Sequence, residues 1–389
     1  MGKFLALLSG KGGSGKTTLS LSIASLLSSI DLKTLLVDCD FITNGATYFY
    51  EDKLNDSTSY LSFFDVLTNQ KIIQRTFISI SKFLDFIPAV SSLSNSNFFD
   101  LHYSEDISDK IKIFKSEMCK DYDIVIFDCQ AGYTNLLKYL LPNIDETLFV
   151  MEADAISSAA LRTLHLKIGD FLNNRKSYQV FNKATPEEFE IYNKISGGTF
   201  FTNIETVLFD WKIRKAFALS EIPDMEKTSA KYGEQIYNIC KVLLPEDKFQ
   251  KKLIMFSSVL EYYKSVEEKE LLLTNMKKEK LEYIKKKTGR YKMISLTIAL
   301  SSMFAVIFSL LILINKMNDL IIKNFEIILI PLLFLLSAIV IFIPFILKTP
   351  SDETKIYNEN EYKKKINEIT DKIEALLRED NEILSSRLR

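Results

Sequence analysis

A glycine-rich octapeptide near the start of the chain, Gly10-Lys11-Gly12-Gly13-Ser14-Gly15-Lys16-Thr17, constrains the fold more than any other feature. It follows the apolar run Phe4-Leu5-Ala6-Leu7-Leu8 and opens a stretch that reads as a helix. Glycines let a backbone curl around an anion so that successive N–H groups point at it, and a helix N-terminus adds its positive end. Strand, loop and helix in this order make a phosphate-binding P-loop, with Gly12, Gly13, Ser14, Gly15, Lys16, Thr17 and Thr18 as the binding stretch. In such a loop Lys16 lies along the β- and γ-phosphates and the Thr17 hydroxyl ligates Mg²⁺.

The first 250 residues alternate short apolar runs with amphipathic stretches, the pattern of a mostly parallel α/β sheet. Continuous apolar runs at 4–8, 34–37 and 124–127 read as central strands covered on both faces, and 148–151 and 178–181 as two more. Between residues 57 and 108 the spacing predicts a helix over 62–67 and a strand over 84–87. The N-terminus is too short an apolar stretch for a secretory signal, and Ala6 stands where myristoylation needs Ser or Thr.

Carboxylates follow two of the runs. Ile124-Val125-Ile126-Phe127 delivers Asp128 to the sheet edge, as a Walker-B strand delivers an Mg²⁺ ligand. Val37-Asp38-Cys39-Asp40 places two more carboxylates at the carboxyl ends of strands, where open α/β folds bind ligands. Together with the additional lysine of Lys11-Gly12-Gly13-Ser14-Gly15-Lys16-Thr17-Thr18, these residues resemble the MinD/ParA family of deviant-Walker ATPases over about residues 1–244. The resemblance implies that Lys11 reaches the nucleotide of a partner subunit, so that ATP binding and homodimer formation are coupled. It also implies that Asp40 lies near the attacking water and Asp38 near the metal. Asp128-Cys129-Gln130-Ala131-Gly132 is similar to the family's switch II, with Gln130 in place of proline.

Asn182-Lys183-Ala184-Thr185 ends in Thr185 where a guanine-reading Asn-Lys-x-Asp motif carries its carboxylate, which favours ATP. In the resembling family an asparagine after this strand contacts adenine, a role the resemblance carries to Asn182. Ile222-Pro223-Asp224 is similar to the family's base-side loop. His102 and His165 have no acidic or cysteine cluster beside them, the four cysteines read as free thiols, and Trp211 reads as a core residue ahead of the alternative, a residue of a partner surface.

From residue 250 a Lys- and Glu-rich helical pattern runs to 292, a helical stalk outside the resemblance. Two apolar runs follow, 293–314 and 325–347, of 22 and 23 residues. Each would be about 33 Å long as a helix, enough to cross a hydrocarbon core. With eight basic residues between 277 and 292, the positive-inside rule predicts a transmembrane hairpin, 293–347, in the cytoplasmic (inner) membrane with both termini cytosolic. The tail, 352–389, carries Tyr362, Ile366, Ile369, Ile373, Leu376 and Ile383 at the spacing of a coiled-coil helix.

The expected architecture is thus a P-loop NTPase domain (1–249), stalk, hairpin and tail. The expected activity is a membrane-anchored, Mg²⁺-dependent ATPase switch whose partners are a lipid bilayer, a second copy and further proteins. Acidic and basic residues nearly cancel, 50 against 49, so charge gives no indication of nucleic acid. A bacterial tyrosine-kinase-like enzyme is the alternative, although the tail holds only Tyr357 and Tyr362.

Overall fold

The computed structural model describes residues 2–55, 60–68, 77–90, 105–172, 175–185, 187–188, 190–192, 201–223, 228–317 and 359–378. Its strands are β1 (Lys3–Leu8), β2 (Thr34–Cys39), β3 (Ile78–Ser81), β4 (Leu84–Ile87), β5 (Ile124–Cys129), β6 (Glu146–Met151), β7 (Lys176–Ala184) and β8 (Thr202–Leu208). The helices of the first half are α1 (Lys16–Ser29), α2 (Gly45–Phe49), α3 (Glu51–Asn55), α4 (Phe63–Thr68), α5 (Glu105–Asp121), α6 (Asn135–Leu140) and α7 (Ala155–Ile168). Those of the second are α8 (Trp211–Ala218), α9 (Ala230–Leu243), α10 (Asp247–Met317) and α11 (Glu359–Arg378). The described chain divides into one compact unit built on Met1–Glu267 and another on Glu268–Lys372.

The first unit is an eight-stranded sheet in the order β3-β4-β2-β5-β1-β6-β7-β8. Every pairing is parallel except β3 with β4. A parallel sheet needs helices over both faces, and β1, β2, β5 and β6 are accordingly buried along their whole length. One face carries Leu5, Leu7, Leu36 and Ile126 against α1, α9 and the first turns of α10, including Phe249, Leu253 and Phe256. The other carries Phe4, Leu35, Phe127 and Phe149 against α4 to α7. There Phe127 packs on Phe4 at 5.2 Å and on Phe63 at 5.9 Å between ring centroids. The sequence runs at 4–8, 34–37, 84–87, 124–127, 148–151 and 178–181 all fall within strands, while β3 and β8 are additional.

Because β1 lies between β5 and β6, chain direction away from it reverses at that point. A crevice opens there at the carboxyl ends of the strands. The glycine loop occupies it, between β1 and α1.

Trp211 corrects the expectation of a core residue, being 71% exposed. It opens α8 just after the capping Asp210, on a helix whose buried residue is Ala216, and its ring lies 5.2 Å from Phe209 and 5.5 Å from the Arg214 guanidinium.

The expected membrane topology is also corrected. Among the described residues no helix is long and apolar enough to cross a membrane. The first apolar run, 293–314, is not a separate element but the end of α10, a 71-residue helix whose earlier turns are dense in Lys and Glu. The second run, 325–347, lies outside the described residues, as do the rest of the linker between the runs from 318 on, Tyr357, His102 and Asp224. Within the second unit, the Tyr362 hydroxyl of α11 donates to Glu279 at 2.8 Å. Tyr362, Ile366 and Ile369 form its half-buried face; residues 352–358 and 379–389 of the expected tail lie outside the described residues.

At the amino edge of the sheet, Lys3 of β1 meets Glu146 of β6 at 2.9 Å, and its ammonium also donates to the Leu243 carbonyl at 2.6 Å. Both side chains are buried, and burial raises the Glu146 carboxyl above its ordinary value. Removing one partner strands the other charge in low dielectric. Lys3→Met should therefore lower the unfolding free energy by about 3 kcal/mol, while Lys3→Met with Glu146→Leu should recover most of it. Chemical denaturation followed by circular dichroism reads both, and equal stability of Lys3→Met and the parent would show that the pair contributes nothing.

Candidate functional site

The loop residues Gly12, Gly13, Gly15, Lys16, Thr17 and Thr18 line one end of a cavity of about 590 Å³. Asp40 and Thr43 from the loop after β2, Gln130 and Ala131 from the loop after β5, and Asn182 and Lys183 from β7 line it too. Its far end is walled by Leu208, Phe209, Asp210, Ile213, Arg214 and Phe217. Gly13 and Gly15 adopt φ of +80° and +90°, a left-handed backbone open to glycine, which supports the tight curl of the loop. Ser14 is buried, and no hydrogen bond reaches its hydroxyl.

Lys16, the first residue of α1, is 8% exposed. Burial lowers its pKa, and the charges of Asp128 and Asp40 act in the opposite sense. Behind it, Asp38 and Asp128 stand opposite one another on the paired strands β2 and β5, both fully buried. Asp38 accepts from the Asp40 N–H at 2.9 Å and from the N–H and hydroxyl of Thr47, each at 2.8 Å. Burial, reinforced by the charge of Asp128, still pushes its carboxyl up to about 7. Burial raises Asp128 as well, opposed chiefly by Lys16. One Asp128 oxygen accepts from Ser20 at 3.1 Å, while no hydrogen bond of ordinary geometry reaches Oδ2. A buried carboxylate oxygen that no well-formed hydrogen bond reaches, with the Thr17 hydroxyl close enough to favour its charged form and a second carboxylate beside it, belongs to a hard oxygen set of the kind that suits Mg²⁺. Among the described residues no group of three or more His, Cys, Asp or Glu side chains could hold a metal ion.

Asp40 faces the cavity with its carboxylate turned onto its own loop. It accepts from the N–H groups of Ile42 and Thr43 at 3.2 and 2.9 Å and from the Thr43 hydroxyl at 2.5 Å. Lys11 does not line the cavity. Its ammonium is paired with Glu152 at 2.9 Å and Asp154 at 3.2 Å in the same chain, and the Glu152 hydrogen bond is the largest influence raising its pKa. Glu152 also meets Lys183 at 3.4 Å, so one carboxylate bridges cations on both sides of the loop. The Asn182 amide donates to the Ser14 carbonyl at 2.8 Å. In the loop after β5, Gly132 at φ +77° donates its N–H to the Ser9 carbonyl at 2.8 Å, tying that loop to the end of β1.

The structure therefore brings Lys16, Thr17, Asp38, Asp40, Asp128 and Asn182 to one crevice and holds Lys11 at its margin. Sequence reasoning missed Thr43, Thr47, Glu152, Asp154, Lys183 and Arg214. The signal for Glu152 and Asp154 was their place just beyond the apolar run 148–151, at the same edge of the sheet as Asp38 and Asp128.

Residues 2–180 match the family model of an AAA domain. The chain is 24% identical over 165 residues to the chromosome partitioning protein ParA of Myxococcus xanthus, covering 42% of this chain and 57% of that protein. It is 29% identical over 135 residues to the sporulation initiation inhibitor protein Soj of Bacillus subtilis, covering 33% of this chain and 50% of that protein. The chain thus spans about half the length of the curated relatives it matches. A plasmid partition protein of Borrelia burgdorferi bound to AMPPNP shares the fold at a TM-score of 0.54 and 20% identity, over 63% of this chain and 99% of that one. The MinC:MinD cell division complex of Aquifex aeolicus matches at 0.50 and 18%, over 63% of this chain and 97% of that one. By its glycine loop and sheet order the first half of the chain has a P-loop fold, and it is similar in sequence to the chromosome partitioning protein ParA and in fold to the MinC:MinD cell division complex.

Proposed function

We propose that the chain is a Mg²⁺-dependent ATPase that works as a nucleotide-controlled switch, pairing with a second copy and acting on protein partners. The observation that carries this reading is the buried Lys16–Asp128–Asp38 cluster at the mouth of the glycine loop, in which no well-formed hydrogen bond reaches one Asp128 oxygen. Buried charges of this kind are costly unless a ligand completes them. A triphosphate with its cation does so: the loop N–H groups and Lys16 take the phosphate oxygens, and Thr17, Asp38 and Asp128 hold the cation directly or through water. When bound, Mg²⁺ neutralises charge on the phosphates.

Asp40 is the residue proposed to orient or deprotonate the attacking water. Lys11 is proposed to leave Glu152 and Asp154 and reach the nucleotide of the second copy, which couples ATP binding to pairing. The ion pairs of Lys11 are half-exposed, so exchanging them for a phosphate contact costs little. The sequence likeness to ParA and Soj supports a switch of this class. Of the two tail tyrosines on which a tyrosine-kinase reading would draw, Tyr357 lies outside the described residues and the Tyr362 hydroxyl donates to Glu279.

Lys16→Ala should abolish ATP binding, read by equilibrium dialysis of radiolabelled ATP, because it removes a charge-assisted contact to phosphate. Binding at the parental level would sink the assignment of the loop.

Asp40→Ala should keep ATP binding and lower the hydrolysis rate about 100-fold, accumulating the ATP-bound pair in sedimentation velocity. Unchanged turnover would remove Asp40 from the chemistry, and a monomer saturated with ATP would refute the pairing.

A further inference from the structure

The expectation taken from family resemblance gives Asn182 to the base, and the structure adds a second task, since its amide nitrogen donates to the glycine loop. β7 is nine residues long where its neighbour β6 has six, and its last residues overhang the glycine loop. Asn182 is 4% exposed there and donates from Nδ2 to the Ser14 carbonyl. The fit is close: a Cβ built on Gly15 would come to 2.1 Å from that same Nδ2. Lys183, held at φ +58°, donates to the carbonyl of Gly13. Two consecutive side chains from one strand end thus bind two consecutive loop carbonyls.

An anion-binding loop can aim its N–H groups inward only if the intervening carbonyls are turned away and given donors. Lys183 can be replaced at its carbonyl by water, since it is 42% exposed. Asn182 cannot, because its hydrogen bond to the loop is buried. Two of the polar side chains that line the cavity beside Arg214, Asp210 and Tyr232, are also committed. Both Asp210 oxygens accept backbone N–H groups, from Lys212 at 2.7 Å and Ser229 at 3.0 Å, and the Tyr232 hydroxyl is paired with Ser22 at 3.0 Å.

We infer that Asn182 is a positioning residue of the phosphate loop, acting through the Ser14 carbonyl on every ligand that carries the phosphate chain, whatever base it bears. The inference rests on the loop being the nucleotide site, which the parent's own ATP binding tests separately.

The test compares the full-length parent with Asn182→Ala and with the near-isosteric Asn182→Asp, which turns an oxygen toward the Ser14 carbonyl. Dissociation constants are measured with Mg²⁺ for ATP, ITP and inorganic tripolyphosphate. Both variants should weaken all three ligands by about tenfold or more and leave the ATP-to-ITP ratio unchanged, since a buried carbonyl has lost its donor. A loss confined to ATP, a collapse of the ATP-to-ITP ratio, or no loss at all would overturn the inference. Should tripolyphosphate bind the parent too weakly to measure, the ratio alone decides. Should Asn182→Ala not fold, shown by circular dichroism, Asn182→Asp decides in the same way.

Discussion

An ammonium and two carboxylates are buried together where three structural elements end, and much of the domain is arranged to make that tolerable. Lys16 comes from the first turn of α1, Asp38 from β2 and Asp128 from β5, and none of the three is solvated. Isolated charges would be expelled from such a site or neutralised. Here each is offset locally: Asp38 by one donor from Asp40 and two from Thr47 of α2, Asp128 by Ser20 and by Lys16, and Lys16 by the carboxylates behind it. The balance is incomplete at Asp128 Oδ2. That incompleteness is the chemical opening for a cation and a polyanion.

The same constraint accounts for the sheet. β1 must be flanked by β5 and β6 for the glycine loop to sit at the switch point, and β2 must pair with β5 for Asp38 to stand opposite Asp128. Aromatic packing of Phe4, Phe63, Phe114 and Phe127 on one side holds those strands in register. The loops above are then free to differ in stiffness. Gly132 is pinned to Ser9, whereas the loop carrying Asp40 is held mainly by bonds that the aspartate makes to its own neighbours. A ligand that competes for Asp40 would release that loop, which is how a bound nucleotide could become a changed surface.

The centre of the sheet and the place of the glycine loop in it are legible in the amino-acid sequence. Central strands are continuous apolar runs because both faces are covered, so 4–8 and 124–127 stand out, and with them the positions of the glycine loop and Asp128. The edges of the sheet are not legible: Ile78-Ser79-Ile80-Ser81 and Thr202-Asn203-Ile204-Glu205-Thr206-Val207-Leu208 mix polar and apolar residues because they pair or pack on one side only. Trp211 misleads because size suggests burial, while its position just after a helix cap at the cavity rim leaves it outside. The run 293–314 misleads because hydropathy reads composition and not the helix to which a segment belongs. The partners of Lys11, Asp40 and Asn182 are contacts between segments far apart or within one loop, which residue spacing does not encode.

The Asp128–Asp38 end of the site suits a cation shared with phosphate, and calorimetric titration of the full-length chain with ATP, in Mg²⁺ and in EDTA, measures that directly. Binding should tighten by about tenfold or more when Mg²⁺ is present, and Asp128→Asn should lose that gain. Equal affinity with and without the cation, or a cation effect that survives Asp128→Asn unchanged, would contradict it.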